Sequence, residues 1–91
     1  MSRLDEPGIA QALRQAPGWE RAGGEIKRTY RFKDFREALA FVNRVGELAD
    51  RAGHHPDIDI RYSAVTLALT THDAGGLTAK DFELARAIDG G

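Results

Sequence analysis

Two hydrophobic rhythms alternate along the chain. In KDFREALAFVNRVGELADRAG, residues 33–53, apolar side chains return every three or four positions: Phe35, Ala38, Leu39, Val42, Val45, Leu48, Ala49 and Ala52. That period predicts an α-helix with one inward stripe. Asp34 stands near its start, and Gly53 sits where a left-handed terminator belongs. Phe41 falls outside the stripe, and Gly46 is an unfavourable residue for a helix interior. Phe41 either marks a helix-to-helix contact between subunits or widens the inner face.

The segments flanking this helix change to period two. In GWERAGGEIKRTYRF, Ile26, Tyr30 and Phe32 share one face with Arg28, and Glu25, Lys27, Thr29 and Arg31 take the other. Gly23 and Gly24 supply the turn of a hairpin. In DIDIRYSAVTLALTTHD, Ile58, Ile60 and Tyr62 alternate with Asp57, Asp59 and Arg61. Val65, Leu67 and Leu69 then alternate with Thr66, Ala68, Thr70 and His72. This reads as a second hairpin, with one buried face and one polar face. His72 falls with the polar set, which predicts a place on the open side of the sheet near a strand end.

A shorter helix is expected at each end. LDEPGIAQALRQAPG carries Asp5 as a cap, Pro7 in the first turn and an inner stripe of Ile9, Ala12, Leu13 and Ala16. LTAKDFELARAIDGG pairs Thr78 with Asp81 three residues on, a capping box with Asp in place of Glu. Leu77 and Phe82 suit a hydrophobic staple, Leu84, Ala85 and Ile88 continue inward, and the last glycines end the helix. The order is α-β-β-α-β-β-α. It predicts an α+β fold, a four-stranded antiparallel sheet with three helices packed on one face. Residues 1–91 form a single domain in this reading.

Composition narrows the function. The 91 residues are 42% apolar and 30% charged with a net charge of −1, an ordinary globular balance. No basic cluster marks a nucleic-acid surface. The absence of cysteine excludes disulfides and thiolate chemistry. Apolar runs are too short for a bilayer and the N-terminus shows no hydrophobic signal core, so cytoplasm is the expected location.

The chemistry lies with the histidines. His54 and His55 are adjacent in RAGHHPD, and the third, His72, follows in LALTTHDAGGLTAKD. Metal binding is poorly served, because neighbouring side chains in extended backbone diverge and the usual ligand spacings are missing. Asp57 or Asp73 can add an oxygen, but no spacing demands it. Acid–base chemistry near neutral pH suits imidazoles, and no nucleophile elbow or phosphate loop offers another mechanism. From the residues alone, a solvated loop with ordinary surface histidines stays open beside catalysis.

HHPD, Tyr62 six residues beyond the proline, and LTTHDAGGLTAKD closely resemble the pterin-4a-carbinolamine dehydratase family. GWE, FKDFREALAFVNRV and FELARAID match as well, so the likeness runs from about Gly18 to Asp89. The resemblance implies a hydro-lyase that removes water from a 4a-hydroxytetrahydropterin (4a-hydroxytetrahydrobiopterin in biopterin recycling for aromatic amino-acid hydroxylation). The product is a quinonoid dihydropterin, and no metal or organic cofactor is needed. It implies His54 and His72 as acid–base groups, His55 as mainly a pterin contact, and Pro56 with Thr71, His72, Asp73 and Ala74 along the pocket. Asp50 matches an acidic position that orients a histidine, or it is a helix-surface carboxylate. Asp81 matches a catalytic acidic position, or it serves as the helix cap. DIDIR lacks the aromatic residue often found after the proline, so one pocket wall is expected to differ. Homodimers or homotetramers are implied, with a functional link to a hydroxylase and no direct contact with nucleic acid or membrane. Two alternatives accompany this reading: a non-catalytic dimerisation or coactivator module, and a pterin role tied to molybdenum-cofactor metabolism.

Overall fold

A computed structural model describes residues 2–90. Gly91, the second of the closing glycines, lies outside them. Helix α1 (Glu6–Arg14) leads to strands β1 (Glu20–Ala22) and β2 (Glu25–Arg31). Helix α2 (Phe35–Ala52) follows, then strands β3 (Asp57–Arg61) and β4 (Ala64–Leu69). A short 3-10 turn (His72–Ala74) leads into helix α3 (Ala79–Gly90). The strands form one antiparallel sheet in the order β1-β2-β4-β3. The expected α+β architecture is therefore present, with the two hairpins joined through β2 and β4.

The caps explain the helix boundaries. Asp5 accepts from the Gly8 amide at 2.9 Å and Asp34 from the Glu37 amide at 2.9 Å, satisfying first-turn donors that have no intrahelical partner. Gly53 ends α2 with φ 62°, the left-handed conformation that glycine adopts without Cβ strain.

One face of the sheet carries the core. Ile26, Val65, Leu67 and Leu69 pack with Ile9 of α1, Ala38, Val45 and Ala49 of α2, and Phe82, Leu84, Ala85 and Ile88 of α3. The other face is polar, and Thr29 and Thr66 share a hydroxyl hydrogen bond of 2.8 Å there. Arg28 lies on the inner side, as its parity requires. Its charge is met by Asp89 at 3.0 Å and the Pro17 carbonyl at 3.1 Å.

Three local expectations change. The helical stripe extended too far toward Phe35 and Leu39, which are 46% and 41% exposed, and Ala52 is exposed as well. Phe41 instead widens the inner face, with ring centroids 4.6 Å from Tyr30 and 5.0 Å from Phe32. Ile58 and Ile60 oppose buried Leu67 and Val65 across the ladder, yet remain 39% and 38% exposed. Strand β3 is the sheet edge, and its apolar side lies beyond the cover of the helices. Tyr62 is not a strand residue but stands in the hairpin turn with φ 52°.

Candidate active site

Helix α2 delivers the histidine pair. Once Gly53 stops the helix, the His54 amide donates back to the Ala49 carbonyl at 3.1 Å, which fixes where the chain leaves the helix. The two rings then part, as adjacent side chains in non-helical backbone must. His54 turns inward with 12% of its side chain exposed, and its Nε2 lies 2.5 Å from Asp81 Oδ1. His55 turns outward, 63% exposed, with Nε2 2.8 Å from Oδ1 of Asp50, itself 79% exposed. Water screens that second pair, so its energetic weight is small.

Asp81 is enclosed and held on both carboxylate oxygens. It has no solvent exposure and sits on the third residue of α3. Its Oδ2 accepts from the Thr78 amide at 2.9 Å and the Thr71 hydroxyl at 2.9 Å, while Oδ1 meets His54. The first contact is one half of a capping box, so the capping role stands. The cap uses only Oδ2, and His54 Nε2 meets Oδ1 on the other side of the carboxylate. A buried carboxylate needs such partners to offset its lost hydration. The positive end of the α3 dipole favours it further. Among the described residues, no buried side-chain polar atom lacks a partner.

His72 does not continue a strand. Strand β4 ends at Leu69, Thr71 makes an isolated bridge with Gly76, and His72 opens the 3-10 turn. The alternation outlasts the ladder, since Leu69 and Thr71 are buried while His72 is exposed. His72 is therefore exposed, as expected, but it is presented from a turn rather than a strand. The reason is the closed Thr71–Gly76 loop: the Gly75 amide donates to the His72 carbonyl at 3.0 Å and pulls the chain out of extension.

The pocket residues divide between concavities. His54 lines a groove of about 420 Å³ between α2 and α3 with Leu48, Arg51, Lys80 and Glu83. His72 lines a separate one of about 370 Å³ with Glu25, Thr70, Gly75 and Gly76, and His55 lines neither. Pro56 and Ala74 are half-buried and Asp73 is exposed. Asp81 thus joins His54 and Thr71 directly, and it reaches His72 only through the backbone of Thr71. Among the described residues, no group of three or more His, Asp or Glu is arranged to hold a metal ion. The cation pair Arg51 and Lys80 beside His54 escaped sequence reasoning, because α2 and α3 are far apart along the chain.

A sequence profile described as pterin 4 alpha carbinolamine dehydratase matches residues 2–90. The chain belongs to that family. A Thermomicrobium roseum relative provisionally named pterin-4-alpha-carbinolamine dehydratase is 61% identical over 97% of this chain and 95% of its own length. One from Chloroflexus aurantiacus with the same provisional name is 62% identical over 98% and 96%. The crystal structure of a transcriptional coactivator/pterin dehydratase from Brucella melitensis superposes with a TM-score of 0.93 at 33% identity. It covers 98% of this chain and 97% of that one. A pterin dehydratase-like protein identified as a RuBisCO assembly factor shares the fold at a TM-score of 0.64 and 18% identity, covering 79% and 83%. Membership in the dehydratase family makes the chain a hydro-lyase. No helix among the described residues is long and apolar enough to cross a membrane.

Proposed function

We propose that this chain dehydrates a 4a-hydroxytetrahydropterin to the quinonoid dihydropterin by histidine acid–base catalysis, in the cytoplasm, as a step of tetrahydrobiopterin recycling for aromatic amino-acid hydroxylation. The observation that carries the reading is the buried Asp81–His54 pair at 2.5 Å. It holds one imidazole in a fixed orientation while the rest of the ring borders a groove wide enough for a small bicyclic ligand.

The reaction asks little beyond this. The bond from the 4a carbon to its hydroxyl breaks as that oxygen gains a proton. The adjacent ring nitrogen loses a proton, and its electron pair forms the new double bond, so water and the dihydropterin leave in balance. A placed imidazole accelerates each proton transfer by roughly 10²–10⁴-fold. In this reading His54 and His72 are the acid–base groups and His55 contacts the pterin. Asp81 orients His54, and Asp50 orients His55. Pro56, Thr71, Asp73 and Ala74 belong to the pocket wall. Self-association belongs to the same proposal, since edge strand β3 presents Ile58 and Ile60 beside an unpaired backbone row.

The test is ultraviolet absorbance decay of the 4a-carbinolamine, with and without enzyme. Wild type should outpace the spontaneous reaction. His54→Ala should lose on the order of 10²-fold in kcat, and the triple His54, His55, His72→Ala variant should match the enzyme-free rate. Equal rates for wild type and the triple variant would sink the proposal. Coupling to an aromatic hydroxylase in a reconstituted cycle tests the recycling role: sustained turnover on adding the chain supports it.

A further inference from the structure

A chain of hydroxyls runs behind His54 and its direction can be read. Asp81 Oδ2 is a carboxylate oxygen and accepts, so the single hydroxyl hydrogen of Thr71 is spent on it at 2.9 Å. The Thr71–Thr78 contact of 2.8 Å must then have Thr78 as donor. Thr78 Oγ1 in turn accepts from the Lys80 amide at 3.3 Å. Polarity therefore runs one way, from the first turn of α3 through Thr78 and Thr71 into Asp81. Thr71, Thr78 and Asp81 are buried to 9%, 0% and 0% exposure, so water does not compete for these bonds.

From this we infer that Thr71 and Thr78 are positioning residues for the dehydration chemistry, acting through Asp81 to hold neutral His54 as the Nε2–H tautomer with Nδ1 as its basic nitrogen. This rests on the proposed catalytic role of His54. With two donors fixed on Oδ2, Asp81 turns Oδ1 toward the imidazole and accepts a hydrogen bond from Nε2–H. The remaining nitrogen is thereby set as the acceptor. Nδ1 has no hydrogen-bond partner among the described residues, and it is not sealed from solvent. Thr71 has a second task. Its backbone carbonyl accepts from Ala74 at 3.1 Å and Gly76 at 3.3 Å, and its amide donates to Gly76 at 3.1 Å. One residue thus anchors the carboxylate behind His54 and the turn that carries His72.

The experiment is ¹⁵N–¹H long-range correlation NMR on the full chain with labelled histidine, paired with dehydration kinetics. Neutral His54 in wild type should show a pyrrole-like Nε2 and a pyridine-like Nδ1. Thr71→Val keeps the side-chain shape and removes the donor. It should give a mixture of tautomers and a kcat reduced on the order of 10-fold, with KM within about twofold. Thr71→Ser should restore both readouts. Thr78→Ala, which leaves the backbone donor to Asp81 in place, should shift the tautomers in the same direction and keeps the test alive if Thr71→Val does not fold. A protonated Nδ1 in wild type would overturn the inference. So would folded Thr71→Val or Thr78→Ala proteins with an unchanged tautomer and kcat. The tautomer is read without turnover, so failure of the relay is distinct from failure of the dehydratase assignment.

Discussion

Single residues decide how the histidines are presented. Gly53 is the clearest case, because its φ of 62° releases the chain from α2 just before His54. A Cβ built there meets no atom within 4 Å, so Gly53→Ala carries only the left-handed backbone penalty. That penalty is about 1–2 kcal/mol. Chemical denaturation of Gly53→Ala should show a loss of this size with an unchanged m-value. Gly18 works differently. Its φ is 91° and a Cβ would lie 2.7 Å from the Arg28 guanidinium, so glycine leaves room for the cation that meets Asp89. Gly53 announced itself in the sequence by following a long periodic segment. Nothing local to Gly18 signals its role, because Arg28 reaches it from a later strand.

Elements show where pattern recognition works and where it stops. Buried positions in β4 follow strict alternation from Val65 to Leu69, as read from the sequence. Strand β3 carries the same kind of alternation and is exposed throughout. The difference is position in the sheet. Strand β4 lies between β2 and β3 under the helices, whereas β3 has one neighbour and little cover. Periodicity reports which side of a strand is apolar, not whether anything packs on it. The exposed isoleucines carry a prediction about association. Ile60→Lys changes a partly exposed edge position, where surface substitutions shift stability by roughly 0.5 kcal/mol or less. Light scattering after size exclusion should show a lower mass for Ile60→Lys than for wild type, with the circular dichroism spectrum unchanged. Equal masses would remove β3 as the associating edge.

At the scale of the whole molecule, Asp89 closes the fold. Near the end of α3 it accepts from Trp19 Nε1 at 2.7 Å, from Arg28 at 3.0 Å and from the Tyr30 hydroxyl. The segment before β1, the middle of β2 and the last turn of α3 therefore meet at one carboxylate. Burial, followed by the hydrogen bond and charge of Asp89, raises the Tyr30 phenol well above its ordinary value of 10.0. A group whose pKa is raised on folding contributes stability that is complete below its unfolded value and is lost as pH rises through the folded one. Wild type should therefore lose stability progressively above about pH 10. Tyr30→Phe, less stable at neutral pH, should lose less over the same alkaline range. Urea midpoints measured across that range provide the check, and parallel declines would refute the role of Tyr30.

What the sequence determined by itself was local or periodic: the helices and strands, the caps at Asp5, Asp34 and Thr78, the Gly53 stop, and the family frame around HHPD and THDAGG. Each depends on neighbours within about two helical turns, where spacing alone sets geometry. Tertiary structure decided the rest. It gave Asp81 two partners on opposite oxygens, placed Thr71 behind both histidine segments, and set His54 in one concavity and His72 in another. It also left β3 uncovered. The Asp81 site depends on residues 10 and 27 positions apart meeting at one carboxylate. Burial makes those meetings count, because a carboxylate without water must take its hydrogen bonds from whatever the fold brings to it.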